Sequence, residues 1–301
     1  MDKALFVLNS EVQSALATKK AIVALESTVI AHGLPRPQNL ETANRLEEIV
    51  REAGSIPATI AILSGQFCVG LSDEEVRFIA EDEEIRKVSI RDLPIALAQK
   101  WNGATTVAST SWIAHRAGIK VFATGGIGGV HRGSLPDISA DLPALATTPL
   151  VVVCSGAKIV LDLAATREWL ETYGITVAGY QCDELPAFYS RNSGLPVDVR
   201  VDSPEEVAEI FDTQQAMGIK RALLVTVPVP REFEVPAKDL ERALNAALHE
   251  AQSQHVAGRE VTPFLLSRMV QTSEGATLKA NLALLENNAR VAALIGKALA
   301  A

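Results

Sequence analysis

The stretch "VVVCSGAKIVLDL" (151–163) carries the pattern that decides the fold. Its uninterrupted apolar run is typical of a strand buried on both faces, as in a parallel sheet. Small residues follow as a turn, and the apolar spacing beyond them predicts the start of a helix. A single lysine, Lys158, lies in that turn among apolar and small residues. An ammonium group is costly to bury unless it is paired, so this lysine raises the question of its role.

Strand and helix patterns alternate on both sides of this stretch. Apolar runs predict strands over residues 21–28, 58–63, 105–110, 120–126, 149–156, 175–180 and 221–229. Helical spacing predicts helices over residues 40–54, 72–81, 110–117, 158–172 and 203–217. We therefore expect an α/β fold with three α/β/α layers and a mostly parallel sheet.

The last third of the chain has a different pattern. Long amphipathic helices are predicted over residues 237–256 and 277–299. We expect these C-terminal helices to pack as a cap on the α/β body or on a neighbouring subunit. Because no repeat, low-complexity segment or linker interrupts the chain, one domain over residues 1–301 is predicted.

Composition excludes several classes of protein. The 301 residues are 48% hydrophobic and 21% charged, which is ordinary for a globular protein. A net charge of −8 argues against a general nucleic-acid binder. No apolar run reaches about 18 residues, and the N-terminus lacks a signal-peptide pattern, so we expect a cytoplasmic protein without a membrane partner. Cys68, Cys154 and Cys182 form no CxxC pair and are expected to be reduced thiols.

Polar residues follow three of the predicted strands, at Glu26, at Thr124 and at Ser155. Because the carboxyl ends of parallel strands meet at one edge of a sheet, we expect a single cleft there. Lys158 would then be an amine nucleophile that forms a Schiff base. The alternative is a lysine at a helix N-terminus, with a packed stem and its ammonium group in water. The local pattern leaves both interpretations open.

A glycine-rich stretch, "TGGIGGVHRG" (124–133), follows another of these strands. Glycines can turn backbone amides toward an anion, and His131 and Arg132 would add cationic donors. The spacing is neither that of a P-loop nor that of GxGxxG, so a phosphate loop and a flexible turn both stay open. Lys87 and Arg91 are further candidate anion ligands, or part of a solvated charge run.

Carboxylates supply candidate acids and metal ligands. Asp137 and Asp141 lie four residues apart in "DISADL" and would share a face in a helical turn. Such a pair can hold a divalent cation or divide acid–base work. The alternative is one helix N-cap and one surface acid. Glu26 directly follows an apolar strand, where burial could raise its pKa and make it a general acid.

Seven motifs, in this order along nearly the whole chain, resemble the pseudouridine-5′-phosphate glycosidases, a family that includes the indigoidine-synthase-A-like proteins. They are "ALESTVIAHGLPRPQN", "KVSIRDLP", "GATTVAST", "ATGGIGGVHRG", "DISADL", "VVVCSGAKIVLDL" and "ANLALLENNARVAALIG". The resemblance implies reversible cleavage of the C–C glycosidic bond of pseudouridine 5′-phosphate, with water, to uracil and ribose 5-phosphate. It also implies one divalent cation per subunit, typically Mn²⁺, and a homotrimer.

The resemblance assigns roles to single residues. Lys158 resembles the nucleophile, which holds the ring-opened ribose as an imine at C1′, and Glu26 resembles the proton donor. Asp141 could move protons to the ring oxygen, and Asp137 resembles the metal ligand. The resemblance also implies substrate contacts from Lys87, Thr106, Val107, Ser139, Ala140, Asp141 and Asn281. We expect further phosphate contacts at Thr124 and His131.

Two segments depart from the family pattern. "TSEGAT" (272–277) stands where "TGG-x-S" is expected and could shape the nucleobase pocket, and "GSLPD" (133–137) is short and could alter access to the metal. Two other functions also fit part of the sequence. A Schiff-base aldolase acting on a phosphosugar would share Lys158 but would not require Glu26 or Asn281. A sugar-phosphate sensor would bind ribose 5-phosphate without turnover.

Overall fold

An eleven-stranded sheet lies at the centre of the computed structural model, which describes residues 5–132, 137–254, 256 and 261–301. Its strands are β1 Phe6–Leu8, β2 Ile22–Glu26, β3 Ile56–Leu63, β4 Gln66–Val69, β5 Arg86–Val88, β6 Gly103–Thr105, β7 Val121–Ala123, β9 Val151–Cys154, β11 Thr176–Tyr180, β12 Val199–Val201 and β13 Leu223–Thr226. Two further strands, β8 Val130–His131 and β10 Leu161–Asp162, form a separate antiparallel pair. The longest path through the large sheet runs β1-β4-β3-β2-β7-β9-β13-β11-β12, and β5 and β6 extend it through β3. Only β4 and β6 pair antiparallel to β3 within the described sheet, which confirms the mostly parallel prediction.

Helices cover both faces of this sheet. They are α1 Ser10–Ala17, α2 Gln38–Glu52, α3 Asp73–Glu81, α4 Leu93–Ala98, α5 Val107–Ala117, α6 Asp141–Leu145, α7 Leu163–Thr172, α8 Pro204–Ala216, α9 Ala237–Ser253, α10 Val261–Thr272 and α11 Ala276–Ala298. Single helical turns span Val29–Gly33, Ile90–Asp92 and Arg231–Phe233. Helices α2, α8 and α11 pack together on one face, and α1 and α5 pack on the other. None of the described helices is long and apolar enough to cross a membrane.

The C-terminal helices divide between two positions. Helix α11 packs on β2, β7 and β9 beside α2 and α8, so it belongs to a helical layer and not to a cap. Small residues along it, such as Ala280, Ala289 and Gly296, are buried, which permits close approach to the sheet. Helices α9 and α10 pack on each other, and α10 also contacts α11 and the turn Val29–Gly33. A cap was expected from both predicted C-terminal helices. Of these two, only α9 lies in the cap, where it packs on α10.

Local signals explain where most elements begin. Ser72 and Glu75 form the capping box of α3, so the helix predicted over residues 72–81 has a cap within its own sequence. The strand predicted over residues 105–110 is wrong, because β6 ends at Thr105 and α5 begins at Val107. The carboxylate of Asp141, distant in sequence, accepts the N–H of Ala108 in the first turn of α5 at 3.0 Å. A cap supplied by another element leaves no local signal in the helix sequence.

Helix α7 begins later than its sequence pattern predicts. The side chain of Asp162 accepts the N–H of Ala165 and caps α7 at Leu163, so Lys158 lies in a turn before the helix. Lys158 is therefore not a lysine at a helix N-terminus, and the helix dipole does not act on it from the first turn. Gly156 has a φ of 81°, which glycine adopts readily, and it bends the chain toward Lys158.

Gly156→Ala should destabilise the protein more than a matched glycine substitution. A Cβ at Gly156 would overlap the carbonyl oxygen of Pro186, whereas Gly194 has a φ of 76° and open space around it. Gly194→Ala should therefore cost about 1 kcal/mol, for the left-handed backbone alone. Gly156→Ala should cost about 2–4 kcal/mol, because overpacking adds to the backbone term. Urea unfolding measures both values, and equal losses would contradict the expected clash.

Candidate active site

The order of strands in the sheet brings three polar strand ends together. Strand β7 lies between β2 and β9, and all three run parallel. Glu26 is the last residue of β2, Thr124 follows β7, and Ser155 follows β9. The three strand ends therefore meet at one edge of the sheet, as the sequence predicts.

Buried hydroxyl groups join a fourth strand end to this edge. Ser27 donates to the carbonyl oxygen of Ile60 at 2.6 Å and accepts the N–H of Thr105 at 2.8 Å. The Thr105 hydroxyl donates to the same Ile60 carbonyl at 2.7 Å. These bonds link the ends of β2 and β6 through β3. They place Thr106 and the N-terminus of α5 beside the strand ends that carry Glu26 and Lys158.

The cleft at this edge has two adjoining compartments that share a wall. Five residues line both compartments, namely Glu26, Thr28, Lys87, Lys158 and Thr262. The polar compartment is completed by Ser89, Thr106, Val107, Gly128, His131, Ser139, Asp141 and Leu161. The apolar compartment is completed by Val29, His32, Gly33, Gly125, Gly126, Phe188, Pro263, Leu266 and Asn281. Lys158 and Glu26 thus lie where a polar and an apolar binding surface meet.

Glu26 is a buried carboxyl group with a raised pKa. Burial raises this pKa above its ordinary value, and the nearby charges of Lys158 and Lys87 and the hydrogen bond from Thr124 offset part of that effect. The negative charge of Asp141 adds a smaller upward contribution. The Thr124 hydroxyl donates to Glu26 Oε1. Glu26 is therefore a carboxylic acid that can hold a proton beside Lys158.

Lys158 is held by its backbone at the junction of the compartments. Its N–H donates to the carbonyl oxygen of Ile127 at 3.1 Å, and the Ile127 N–H donates to the carbonyl of Gly156 at 3.0 Å. These bonds join the turn after β9 to the glycine-rich segment after β7. The half-buried lysine lines both compartments, so its side chain can meet a ligand that occupies either one.

Asp141 is fixed by backbone donors on both oxygens. Its Oδ1 accepts the N–H of Ala108, and its Oδ2 accepts the N–H of Gly128 at 2.8 Å. The residue is buried, and its charge lies at the N-terminus of α5, where the helix dipole favours an anion. The carboxylate is therefore positioned before any ligand binds.

Four backbone amides of the glycine-rich segment are used within the protein and are not available to the cleft. The N–H groups of Ile127, Gly128, Val130 and His131 donate to Gly156 O, Asp141 Oδ2, Thr166 Oγ1 and Asp137 O, respectively. Because these donors are used inside the protein, they cannot form the anion cradle that the sequence suggests. A Cβ at Gly128 would overlap the Ser139 hydroxyl, so this glycine permits close packing. An anion in the polar compartment therefore cannot be bound by these four amides.

The structure places most of the predicted substrate residues in the cleft. Those in the polar compartment are Lys87, Thr106, Val107, His131, Ser139 and Asp141. Asn281 lines the apolar compartment from α11. Thr124 and Ala140 are absent from the described lining residues of both compartments. Thr124 is buried against Glu26, so its position suits a partner of the acid better than a phosphate ligand.

Several residues that line the cleft are not among those predicted from the sequence. Thr28 and His32 follow Glu26 in the same motif, so their proximity to it was a usable signal. Thr262 and Leu266 come from α10, and Phe188 comes from the segment after β11. Nothing in their local sequence points to a cleft. Helix α10 reaches it through tertiary packing, which includes its contact with the turn Val29–Gly33.

The two aspartates of "DISADL" do not form a carboxylate pair on one helix. Asp141 begins α6, whereas Asp137 precedes it, is exposed, and accepts the N–H of His131 through its carbonyl. This arrangement matches neither interpretation in full, because Ala140 and not Asp141 is the N-cap of α6, while Asp137 is an exposed acid. Within the described ranges, no group of three or more His, Cys, Asp or Glu side chains could hold a metal ion. Residues 133–136 of "GSLPD" lie outside the described residues.

The "TSEGAT" segment forms the junction between α10 and α11. Gly275 has a φ of 82° there and separates the two helices. None of its described residues lines either compartment, so the segment can affect the nucleobase side only through the helices that it joins.

Comparison with known proteins places this cleft among enzymes. The sequence model of the family described as "Indigoidine synthase A like protein" matches residues 11–298. The chain is 51% identical over 290 residues to a pseudouridine-5′-phosphate glycosidase of Caldanaerobacter subterraneus subsp. tengcongensis, covering 96% of this chain and 94% of the relative. It is 50% identical over 296 residues to a protein of the same name from Escherichia coli K12, covering 97% and 95%.

Two solved structures have the same fold at high similarity. An indigoidine synthase A-like protein from Thermotoga maritima superposes with a TM-score of 0.91 at 41% identity, covering 99% of this chain and 97% of the other. The prealnumycin C-glycosynthase AlnA, in complex with ribulose 5-phosphate, superposes with a TM-score of 0.91 at 39% identity, covering 98% and 97%. The fold predicted from the sequence is therefore confirmed.

Glu26→Gln should stabilise the protein in a pH-dependent way. Because the folded state raises the pKa of Glu26 from its ordinary 4.5, the folded protein binds this proton more tightly than the unfolded chain does. The contribution of Glu26 to the stability of the wild type is therefore complete below pH 4.5 and is lost as the pH rises through the folded-state pKa. Glutamine cannot ionise and can still accept from Thr124, so the Tm advantage of the variant should grow across that window. Thermal melts at a series of pH values measure it.

The matched control is Glu41→Gln, which changes an exposed carboxylate on α2. Its Tm difference from the wild type should stay nearly constant over the same pH range. A Glu26→Gln variant that melts below the wild type at every pH would contradict the assignment of a protonated, buried acid.

Proposed function

Since the chain belongs to the indigoidine synthase A-like family, we propose that it catalyses the reversible cleavage of the C–C glycosidic bond of pseudouridine 5′-phosphate to uracil and ribose 5-phosphate. The chain is an enzyme, as its curated relatives are. The observation that carries the proposal is the junction of a polar and an apolar compartment at Lys158 and Glu26. A C-nucleoside monophosphate has the same division, with a polar sugar phosphate joined to a flat base.

The compartments suggest how the substrate lies. The phosphate and the ribose hydroxyls occupy the polar compartment, where Lys87 and His131 supply positive charge or hydrogen bonds. The uracil occupies the apolar compartment, where the ring of Phe188 and the side chain of Leu266 flank it. Asn281 offers an amide donor and an amide acceptor, which match the alternating acceptor and donor groups on the edge of uracil. Ribulose 5-phosphate bound to the related C-glycosynthase supports a sugar phosphate in this fold.

The reaction requires an electron sink, because a carbon leaving group departs poorly from a closed ribose ring. In the proposed mechanism the unprotonated amine of Lys158 attacks C1′, and the bond from C1′ to the ring oxygen breaks. The ring oxygen takes a proton, for which Asp141 is the nearby relay. The nitrogen, which became cationic in the attack, gives up the proton that Asp141 relays to the ring oxygen. Its lone pair then forms the imine as the bond from C1′ to uracil C5 breaks, and the electrons of that bond remain on C5. Water hydrolyses the imine and releases ribose 5-phosphate and the free lysine.

Glu26 supplies the proton that uracil C5 receives when the C–C bond breaks. A general acid has to be protonated at the working pH and lie within reach of the leaving atom. Burial favours the first condition, because it raises the pKa of Glu26. Its position on the wall shared by both compartments provides the second. In the synthetic direction the same carboxylate removes this proton.

We also propose a divalent cation, with Mn²⁺ as the expected ion and Asp137 as its protein ligand. The described residues supply no cage of ligands around Asp137, so no step above is assigned to a metal. One carboxylate with several waters is nevertheless an accepted environment for a hard divalent cation. When bound, such a cation would supply Lewis-acid and orienting chemistry near the sugar phosphate.

Removal of the metal tests this part of the proposal. Dialysis against EDTA should lower activity, and added Mn²⁺ should restore it. The EPR signal of free Mn²⁺ gives binding without reference to activity, and Asp137→Asn should weaken that binding at least about tenfold through loss of the carboxylate. Equal Mn²⁺ binding by wild type and variant would exclude Asp137 as the ligand.

A cytoplasmic homotrimer completes the proposal. It is supported by the family resemblance of the sequence motifs. Light scattering after size exclusion would measure the number of subunits.

The central test follows uracil release. Wild-type protein with pseudouridine 5′-phosphate and Mn²⁺ should release uracil, and Lys158→Ala should lose nearly all of this activity with the nucleophile. Borohydride with ribose 5-phosphate should leave an adduct on Lys158 in the wild type, mapped by mass spectrometry. Lys120→Ala is the matched control, because Lys120 precedes β7 at the opposite edge of the sheet. Retro-aldol products without uracil would favour the aldolase, and binding without turnover would favour the sensor.

Asn281→Ala should separate base recognition from imine chemistry. In the synthetic direction the KM for uracil should rise about tenfold or more, the equivalent of one or two buried hydrogen bonds. The ribose 5-phosphate adduct on Lys158 should form at its normal rate, because the apolar compartment is not needed for it. A variant that loses both equally would show that Asn281 supports the cleft as a whole and does not read the base.

A further inference from the structure

The motif "ANLALLENNARVAALIG" (280–296) contains an asparagine that the reaction above does not use. Asn281 lines the apolar compartment, and Asn288 follows two turns later on the same face of α11. Asn288 has no exposed surface, and it is absent from the described lining of both compartments. A buried amide is costly unless its hydrogen bonds are made, so its partners show what it does.

All partners of Asn288 lie on the two strand ends that form the cleft. Its amide nitrogen lies 2.9 Å from the carbonyl oxygen of Thr124 and 3.4 Å from that of Gly125, both after β7. The same nitrogen lies 3.1 Å from the hydroxyl of Ser155, after β9. That hydroxyl also donates to the amide oxygen of Asn288 at 3.3 Å. One side chain therefore bonds to the segments after both strands.

These two segments carry the reacting groups. Thr124 donates its hydroxyl to Glu26, so its backbone position sets the contact with the acid. Ser155 begins the turn that ends at Lys158, and its N–H donates to the Gly125 carbonyl at 2.9 Å. Phe188, which lines the apolar compartment, donates its N–H to the Ser155 carbonyl at 3.1 Å. The partners of Asn288 thus connect to the acid, the nucleophile and the base site.

We propose that Asn288 is a positioning residue for this reaction, whose buried amide holds the Thr124 segment and the Lys158 turn in register with each other and with Asn281. The inference rests on the proposed function. Asn288 touches neither compartment and acts through Thr124 and Ser155. It stands on a helix packed against the sheet, which holds a site more precisely than a loop does.

The effect on Glu26 gives a signature that simple destabilisation lacks. The groups that face Glu26 are Lys158, Lys87, Asp141 and the Thr124 hydroxyl. The hydrogen bond from Thr124 lowers the pKa of Glu26 against the upward effect of burial. If the Thr124 segment loosens, this bond weakens and the pKa rises further. Loss of Asn288 should therefore move the pH profile of uracil release toward higher pH, as well as lower its maximum.

The chain offers a matched control on the same helix. The hydroxyl of Ser55 is buried and donates to the carbonyl oxygen of Ala293 at 2.8 Å. Ser55→Ala removes a buried hydrogen bond that also anchors α11, but it does so between α2 and β3 and away from both catalytic segments. It should lower the Tm and leave kcat and the pH profile as in the wild type.

The experiment compares wild type, Asn288→Ala, Asn288→Asp and Ser55→Ala by Tm and by uracil release across pH. Asn288→Ala should lower kcat and kcat/KM by the same factor, about 10- to 100-fold, because misplaced reacting groups affect the transition state. Asn288→Asp keeps the side-chain size but sets a carboxylate against two carbonyls, so it should lower both kcat and the Tm at least as much as Asn288→Ala. Ser155→Ala removes one partner of Asn288 without placing a charge in the core, so it serves as the second variant if Asn288→Ala does not fold.

The outcomes test the role of Asn288 separately from the proposed function on which it rests. Wild type that releases no uracil and forms no borohydride adduct overturns the proposed function, and the inference falls with it. Active wild type, with a folded Asn288 variant whose kcat and pH profile stay within about twofold of it, overturns the inference alone. Loss of kcat by Ser55→Ala equal to that of Asn288→Ala would also overturn it, because any loosening of α11 would then suffice.

Discussion

Parallel pairing of β2, β7 and β9 is the constraint on which the site depends. Adjacent parallel strands end on the same side of a sheet, so the residues after them are neighbours although they are far apart in the chain. Glu26, Thr124 and the turn to Lys158 become one surface for this reason. Helix α5, which connects β6 to β7, brings Val107 to the cleft. Two helices after the last strand supply more of it, because α10 brings Thr262 and α11 brings Asn281.

Three buried polar groups in and beside the cleft have defined partners. Asp141 is satisfied by two backbone amides, Glu26 by the Thr124 hydroxyl, and Asn288 by the segments after β7 and β9. A satisfied polar network in a low-dielectric interior holds its members rigidly, and leaving one member unpaired is costly. The same burial that would destabilise an ionised carboxylate raises the pKa of Glu26, so the requirements of folding and of acid catalysis coincide there.

The sequence predicted the elements whose signals are local. Uninterrupted apolar runs identified the central strands, and Ser72 with Glu75 identified the start of α3. The errors occurred where a distant group decides the local structure. Asp141 caps α5 across the chain, so the segment after Thr105 is helical despite its strand-like composition. The late start of α7 is different, because Asp162 caps it locally and the apolar spacing before that residue does not show where the helix begins. Four amides of the glycine-rich segment bond within the protein, at a place where the sequence left an anion site open.

The residue types and their order were thus determined by the sequence alone: a lysine after an apolar strand, an acid after another, and an asparagine in a C-terminal helix, in the pattern of one family. Their spatial relation was decided only by tertiary structure. Strand order made Glu26 and Lys158 neighbours, packing of α10 completed the apolar compartment, and burial of Asn288 between two strand ends gave it partners. The physical reason is the distance along the chain over which each effect acts. Periodicity and capping act over a few residues, whereas sheet order, burial and buried hydrogen bonds join residues that are distant in the chain.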